Sequence, residues 1–248
     1  MTVDINCDMG ESYGEAVVGN DSAVMPFISS ANIACGFHGG DPLTIEKTIC
    51  LALKYGVSVG AHPSYNDLKG FGRRPMHLSK AELRSAILYQ VGALKSMTET
   101  LGGKLIHVKP HGALYNSASA DYEISRVIAE TIKEIDPSLK MICLSQSKMI
   151  DAAHDVGIPY SSEAFADRAY NEDGSLVSRD TPGAVITDEE KIVERVLLMI
   201  TEGVVETLSG RVIEIQADTI CIHGDNEQAP KLVKTIYNEL TERGIHIR

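Results

Sequence analysis

Residues 104–116, KLIHVKPHGALYN, constrain the fold of this chain more than any other stretch. The segment opens as an aliphatic, β-branched strand and runs through Pro110 into a glycine turn, yet its ionisable side chains fall at alternate positions. Successive side chains of a strand point to opposite faces. Ile106 and Val108 therefore face one way, while His107, Lys109 and, where Pro110 leaves the chain extended, His111 face the other. An ordinary apolar core excludes such a surface, because an unpaired buried charge costs several kcal/mol.

The pattern recurs along the chain. In the first strand, residues 3–7 of DINCDMGES, Ile5 and Cys7 share one face and Asp4, Asn6 and Asp8 the other. A second strand carries Asn32 and Ala34 within SSANIACGFHGGDP and turns through glycines with His38 at the tip; Asp41 and Pro42 then read as an N-cap and first helical residue. That helix places Ile45, Ile49 and Ala52 on one side and stops at Gly56. Residues 57–62 form a third strand leading into GAHPSYNDLKGFGRR, with His62 near the start of the loop and Arg73 and Arg74 near its end.

Ser79 and Glu82 make a capping box, and Leu83, Ile87, Val91 and Leu94 continue that helix to Gly102 and Gly103. The strand from Lys104 is fourth. A helix over residues 121–135, the strand 140–144, a short helix ending at Gly157 and the strand 160–166 follow. Next comes a polar loop with Glu163 at its root and Asp167, Arg168 and Arg179 along it. Thr187 with Glu190 reads as a second capping box, and the seventh strand, residues 219–222, ends in HGDNEQAP before a last helix from Pro230.

Seven strands alternating with helices imply parallel pairing and right-handed crossovers. An open doubly wound sheet has apolar strands throughout, whereas one face of strands one, three, four, six and seven is polar here. A single-domain, seven-stranded parallel β/α barrel over residues 1–248 is the expected fold, with its site at the carboxyl ends of the strands. Asp4, Asn6, Asp8, His62, His107, Lys109, His111, Glu163 and His223 are expected to converge at that end, and Ile5, Val59, Val108 and Ile222 to be buried beneath the helices.

With 34 acidic and 23 basic residues the net charge is 23 − 34 = −11, and the cations are scattered, which argues against nucleic acid or an anionic membrane as partner. No apolar run approaches the roughly 18 residues of a bilayer span, so a cytoplasmic protein is expected. The five widely spaced cysteines contain no CxxC pair and read as reduced thiols packed as small hydrophobes.

Asp8, His62 and His111 could form a facial carboxylate and two-imidazole divalent metal site, with His38 or His223 as a further ligand. A carboxylate and histidine network that bonds substrate directly is equally economical, since no HExxH fixes the ligands. Lys109 suits an oxyanion or phosphate, or a base if burial lowers its pKa; the plainer alternative is a salt bridge to Asp4, Asp8 or Glu163. His223 beside Asp225 has the form of a base with an orienting carboxylate, or of a helix cap. Arg73 and Arg74 could grip a carboxylate or phosphate, or simply be solvated. GxGxxG and GxxxxGK[ST] are absent, so any ATP must use another surface or another subunit.

DINCDMGES, SSANIACGFHGGDP, GAHPSYNDLKGFGRR, HVKPHGALYN, EAFADRAY, RDTPGAVI and CIHGDNEQA together, in this order and across nearly the whole chain, resemble the LamB/YcsF family. The resemblance implies a distorted TIM barrel related to the glycoside hydrolase and deacetylase superfamily. It also implies ATP-dependent opening of 5-oxo-L-proline to L-glutamate as one subunit beside PxpB and PxpC, with ATP as co-substrate together with Mg2+. On that reading Asp8, His62, Lys109, His111, Glu163 and His223 are the catalytic candidates. Asn6, His38, Arg73, Arg74, Asp167, Arg168, Arg179 and Asp225 are the substrate-binding ones. A metal-dependent deacetylase or amidohydrolase acting alone, and a non-catalytic scaffold, are the competing readings; a homo-oligomer is compatible with the sequence, which displays no symmetric interface.

Overall fold

The computed structural model describes residues 1–223 and 228–248. Strands β1 (Thr2–Met9), β2 (Ser30–Ala34), β3 (Ser58–His62), β4 (Leu105–Val108), β5 (Lys140–Leu144) and β6 (Tyr160–Phe165) pair in chain order, each parallel to the last. A small antiparallel hairpin, β7 (Val204–Glu206) and β8 (Val212–Glu214), stands outside this sheet. Strand β9 (Thr219–Cys221) then inserts between β6 and β1, with Ile220 opposite both Ala164 and Ile5, and closes a seven-stranded parallel barrel. The two-residue β10 (His246–Ile247) adds to the start of β1 below the closure.

The helices are α1 (Asp21–Val24), α2 (Pro42–Tyr55), α3 (Lys80–Thr100), α4 (Gly112–Ala120), α5 (Tyr122–Ile135), α6 (Lys148–Val156), α7 (Glu189–Thr201) and α8 (Ala229–Glu242). Their starts and stops follow the sequence signals. The Asp41 carboxylate accepts from Thr44 N, Ser79 and Glu82 form the expected reciprocal box, and Gly56 and Gly157 close α2 and α6 in the left-handed region. The outward faces of the strands meet the apolar stripes of these helices, so Ile5, Val59, Val108 and Ile222 are all buried in one continuous core. Burying such side chains contributes roughly 1.5 to 3 kcal/mol each relative to leaving them exposed. Four of the five cysteines share this core and all five are free thiols; Cys50 is exposed.

Several expectations need correction. Ile106 does not share the face of Val108. The β3–β4 register steps from Val59 opposite Leu105 to Gly60 opposite His107, so β4 carries one extra residue at a bulge, and Ile106 is 38 % exposed in the opening at the amino ends of the strands. Asp4 also lies at that lower opening, where it accepts from the Ser29, Ser30 and Thr219 hydroxyls, and so it stands apart from the carboxyl-end groups. His107 sits low in the lumen, on Asn32, and lines the same opening. The residue capping α7 is Asp188, which accepts from Lys191 N, so Thr187 and Glu190 form no capping box there.

Candidate active site in the barrel mouth

The lumen is filled by a polar ladder that the alternation of β1, β2, β4 and β6 builds. The Asn6 amide nitrogen donates to Glu163 Oε1 at 2.9 Å and to Thr219 Oγ1 at 2.7 Å, and Asn32 donates to Asn6 Oδ1 and Asp8 Oδ1. His107 donates from Nε2 to Asn32 Oδ1 at 2.8 Å; burial, and then Lys109, hold its pKa down to about 3, so it is neutral. Gly60 makes room for this ring, since a Cβ there would lie 1.9 Å from His107 Nε2.

Above this ladder stands Lys109, 2 % exposed. Its ammonium lies 2.8 Å from Glu163 Oε1, 3.1 Å from Asp8 Oδ1, 3.1 Å from Asn6 Oδ1 and 3.0 Å from Cys221 Sγ, with the Phe165 ring 5.2 Å away. Burial alone would lower its pKa, but Asp8, Cys221 and Glu163 together carry it well above the usual lysine value. Lys109 therefore keeps its proton and is no base. The salt bridges predicted as the plain alternative are present, to Asp8 and Glu163 and not to Asp4. Burial likewise pushes the Asp8 carboxyl up, yet His62 and Lys109 hold it well below the usual carboxylate range. Glu163 Oε2 accepts from the buried Tyr115 hydroxyl at 2.6 Å, and burial followed by Glu163 raises that phenol well above its ordinary value.

A second cluster lies beside Asp8. His62 Nδ1 is 2.6 Å from the Lys109 carbonyl, and His62 Nε2 is 3.2 Å from Asp8 Oδ2 and 3.0 Å from His111 Nδ1. His38 stacks on His111 with ring centroids 3.7 Å apart, and its Nε2 is 3.1 Å from Glu11 Oε1. Burial, then the neighbouring imidazoles, keep His38 and His111 well below the usual histidine pKa, so both are neutral. Gly72 permits the stack: a Cβ there would fall 2.8 Å from His111 Cδ2 and 2.9 Å from His38 Cβ.

These groups floor a cavity of about 480 Å³ at the carboxyl ends of the strands, walled by Phe71, Arg73, Tyr115, Phe165, Arg168, Arg179 and His223. His223 is held by Asp167, whose two oxygens lie 2.8 and 3.0 Å from Nδ1. Burial raises the Asp167 carboxyl, but His223 and Arg179 bring it to a net value below the ordinary one, so it is ionised and His223 carries its hydrogen on Nδ1. The orienting carboxylate is thus Asp167. Asp225, the partner expected from sequence, lies outside the described residues.

Two arginines are placed differently from expectation. Arg74 turns onto Asp67, which it meets through Nε at 2.9 Å and through its terminal nitrogen, and it does not line the cavity. Arg168 reaches the cavity wall, but its Nε and a terminal nitrogen donate to the Ala184 and Val177 carbonyls, fixing the loop after β6. The Arg74 guanidinium holds the Asp67 carboxyl down to about 2. Its contribution to stability is therefore full above the unfolded pKa of about 3.9 and is lost as pH falls through the folded one. The melting difference between wild type and Asp67→Asn should accordingly shrink steadily below about pH 4. A difference that stays constant down to the acid limit of folding would contradict this ion pair.

Sequence reasoning missed Glu11 and Tyr115. Glu11 lies past the end of β1, where strand alternation no longer applies, and Tyr115 lies on α4, whose N-cap residue His111 makes no side-chain capping bond to announce the helix. Both stand inside the blocks DINCDMGES and HVKPHGALYN, which were the available signal.

The chain is similar to known proteins along its full length. It is 51 % identical over 245 residues to the A subunit of 5-oxoprolinase from Clostridium beijerinckii, covering 99 % of this chain and 96 % of that one. It is 48 % identical over 247 residues to the protein of the same name from Pyrococcus horikoshii, covering 100 % and 97 %. The crystal structure of a lactam utilization protein from Thermus thermophilus superposes with a TM-score of 0.95 at 45 % identity, covering 100 % of this chain and 99 % of the other. The LamB/YcsF family profile matches residues 3–248, and the chain belongs to that family.

Proposed function

We propose that this chain is the A subunit of an ATP-dependent 5-oxoprolinase, which together with PxpB and PxpC opens 5-oxo-L-proline to L-glutamate with hydrolysis of ATP to ADP and phosphate. The observation that carries this reading is one cavity lined by both a buried, protonated Lys109 and a carboxylate-oriented histidine, His223 on Asp167. The first suits a developing negative charge and the second the proton of an attacking water. The substrate comes from the name borne by relatives about half identical to this chain.

A γ-lactam carbonyl is a weak electrophile. Transfer of the terminal phosphoryl group of ATP, bound with Mg2+, to the lactam oxygen releases ADP and leaves an imidate-like phosphate ester. His223 takes a proton from water as the water oxygen bonds to that carbon, while Lys109 offsets charge on the phosphorylated oxygen. The ring C–N bond then breaks, the nitrogen accepts a proton, and the acyl phosphate left on the side chain is hydrolysed by a second water to glutamate and phosphate. Arg73 and Arg179 at the mouth suit the substrate carboxylate or the phosphates. The chain has no glycine-rich phosphate loop, which is why partner subunits belong to the reading.

The test is glutamate release from 5-oxoproline, with and without ATP and with and without the partner subunits. The isolated chain should release little or none, and the three-subunit mixture should form glutamate and ADP in equal amounts. Full-rate release by the chain alone would contradict the need for partners. No release from the complete mixture would contradict the function.

A further inference from the structure

We infer that Glu11, His38, His62 and His111 form the ligand set of one divalent transition metal of the zinc class, open on one side to the cavity. The hydrogens carry the argument. His62 Nδ1 lies 2.6 Å from the Lys109 carbonyl and His111 Nε2 lies 2.9 Å from the Phe71 carbonyl. A carbonyl oxygen only accepts, so both of these nitrogens bear hydrogen. The other two nitrogens, His62 Nε2 and His111 Nδ1, are the ones left to ligate, and they face each other at 3.0 Å. Glu11 Oε1 adds a third potential ligand atom 3.6 Å from His111 Nδ1. Two imidazole nitrogens and a carboxylate oxygen converging on one point suit a metal cation among them.

The fourth donor and the spacing agree. His38 Nε2 is 3.1 Å from Glu11 Oε1, and its Nδ1 is buried with no hydrogen-bond partner among the described residues. One donor atom from each of the four residues falls within 4.8 Å of all the others. Metal–ligand bonds of about 2.0 to 2.1 Å in a tetrahedron put neighbouring donors about 3.3 Å apart. The contacts of 3.0, 3.1 and 3.6 Å bracket that edge. The four residues arrive from the loops after β1 and β2, the end of β3 and the start of α4, and all are buried. Gly39 lets the loops close, since a Cβ there would lie 2.6 Å from the Glu11 carbonyl oxygen.

Three imidazoles with one carboxylate suit zinc, or Co2+ in its place, and not Mg2+, which takes oxygen ligands. Asp8, expected from sequence as the carboxylate ligand, has Oδ1 bound by Lys109 and Asn32, and Glu11 takes that place. Asp8 Oδ2, 3.2 Å from His62 Nε2, stands next to the cluster. Glu11, His62 and His111 line the cavity, so a water on the metal would face it.

The test measures metal, so its outcome is separate from that of lactam turnover. The full-length chain, purified without chelator, should contain about one zinc-class metal by elemental analysis. Stripped and titrated with Co2+, it should develop the visible absorption of a four- or five-coordinate site at one equivalent. Glu11→Gln and His38→Asn should each lower retained metal by about tenfold or more. His154→Asn, a change on the surface helix α6, should retain it. A wild-type chain that is metal-free and gives no Co2+ spectrum would overturn the assignment and leave a proton between His62 and His111 as the shared cation. Unchanged metal content in folded Glu11→Gln and His38→Asn would overturn it as well.

Discussion

Lys109→Met should destabilise the fold by roughly 3 to 5 kcal/mol, because removing one partner of a buried ion pair leaves an uncompensated charge. Here it would strand two carboxylates, Asp8 and the fully buried Glu163, which share the ammonium at 3.1 and 2.8 Å. For a chain of this length the loss corresponds to a melting temperature lower by about 10 °C. Adding Glu163→Gln to Lys109→Met should restore part of it, since the stranded charge is removed with its partner. In whatever fraction stays folded within the complex, kcat and kcat/KM should fall together by about 10²-fold or more with little change in KM, as for a group that acts only when charge develops. A variant that melts like wild type would contradict the buried pairing. Near-normal turnover in a folded variant would contradict the catalytic role.

Gly60→Ala should be the most damaging single-methyl change in the barrel. The added Cβ would sit 1.9, 2.2 and 2.3 Å from Nε2, Cδ2 and Cε1 of His107, so it meets the ring itself and not a flexible tip. His107 has no easy retreat, being buried and bonded to Asn32. Overpacking of this kind costs about 1 to 3 kcal/mol and occasionally more, and this contact belongs at the upper end. Thermal melts decide it, with the double variant Gly60→Ala and His107→Ala as the control: removing the ring should return much of the loss. A Gly60→Ala chain that melts with wild type would show that His107 does not pack over Gly60.

The barrel is legible in the sequence because its strands carry two signals at once, an apolar outer face and a polar inner one. Val108 beside Lys109 and Ile5 beside Asn6 are enough to give the wall each side chain belongs to. Alternation gives no height along the strand, and for that reason it sets Asp4 and His107, rightly turned to the lumen, too near Lys109. It also fails at a bulge, where Ile106 leaves the face its position predicts. The β7–β8 hairpin escapes a reading in chain order, although VVETLSGRVIE has β-branched arms around a glycine, because the segment passes as the link between α7 and the seventh strand. Of the site, the residues on strands or at their ends are the legible ones, among them Asp8, His62, Lys109, Glu163 and His223. Pairings are harder to read. Asp167 with His223 and Arg74 with Asp67 depend on how loops fold back, and only the tertiary structure brings those partners together.

The most direct test of whether lactam opening takes place in this barrel is the rate of glutamate release by a reconstituted complex in which this chain carries His223→Gln. The change keeps an amide near Asp167 but removes the proposed general base. The complex should still assemble and should release glutamate about 10²-fold or more slowly than wild type, the range a lost general base produces. An assembled His223→Gln complex that releases glutamate at the wild-type rate would contradict the account.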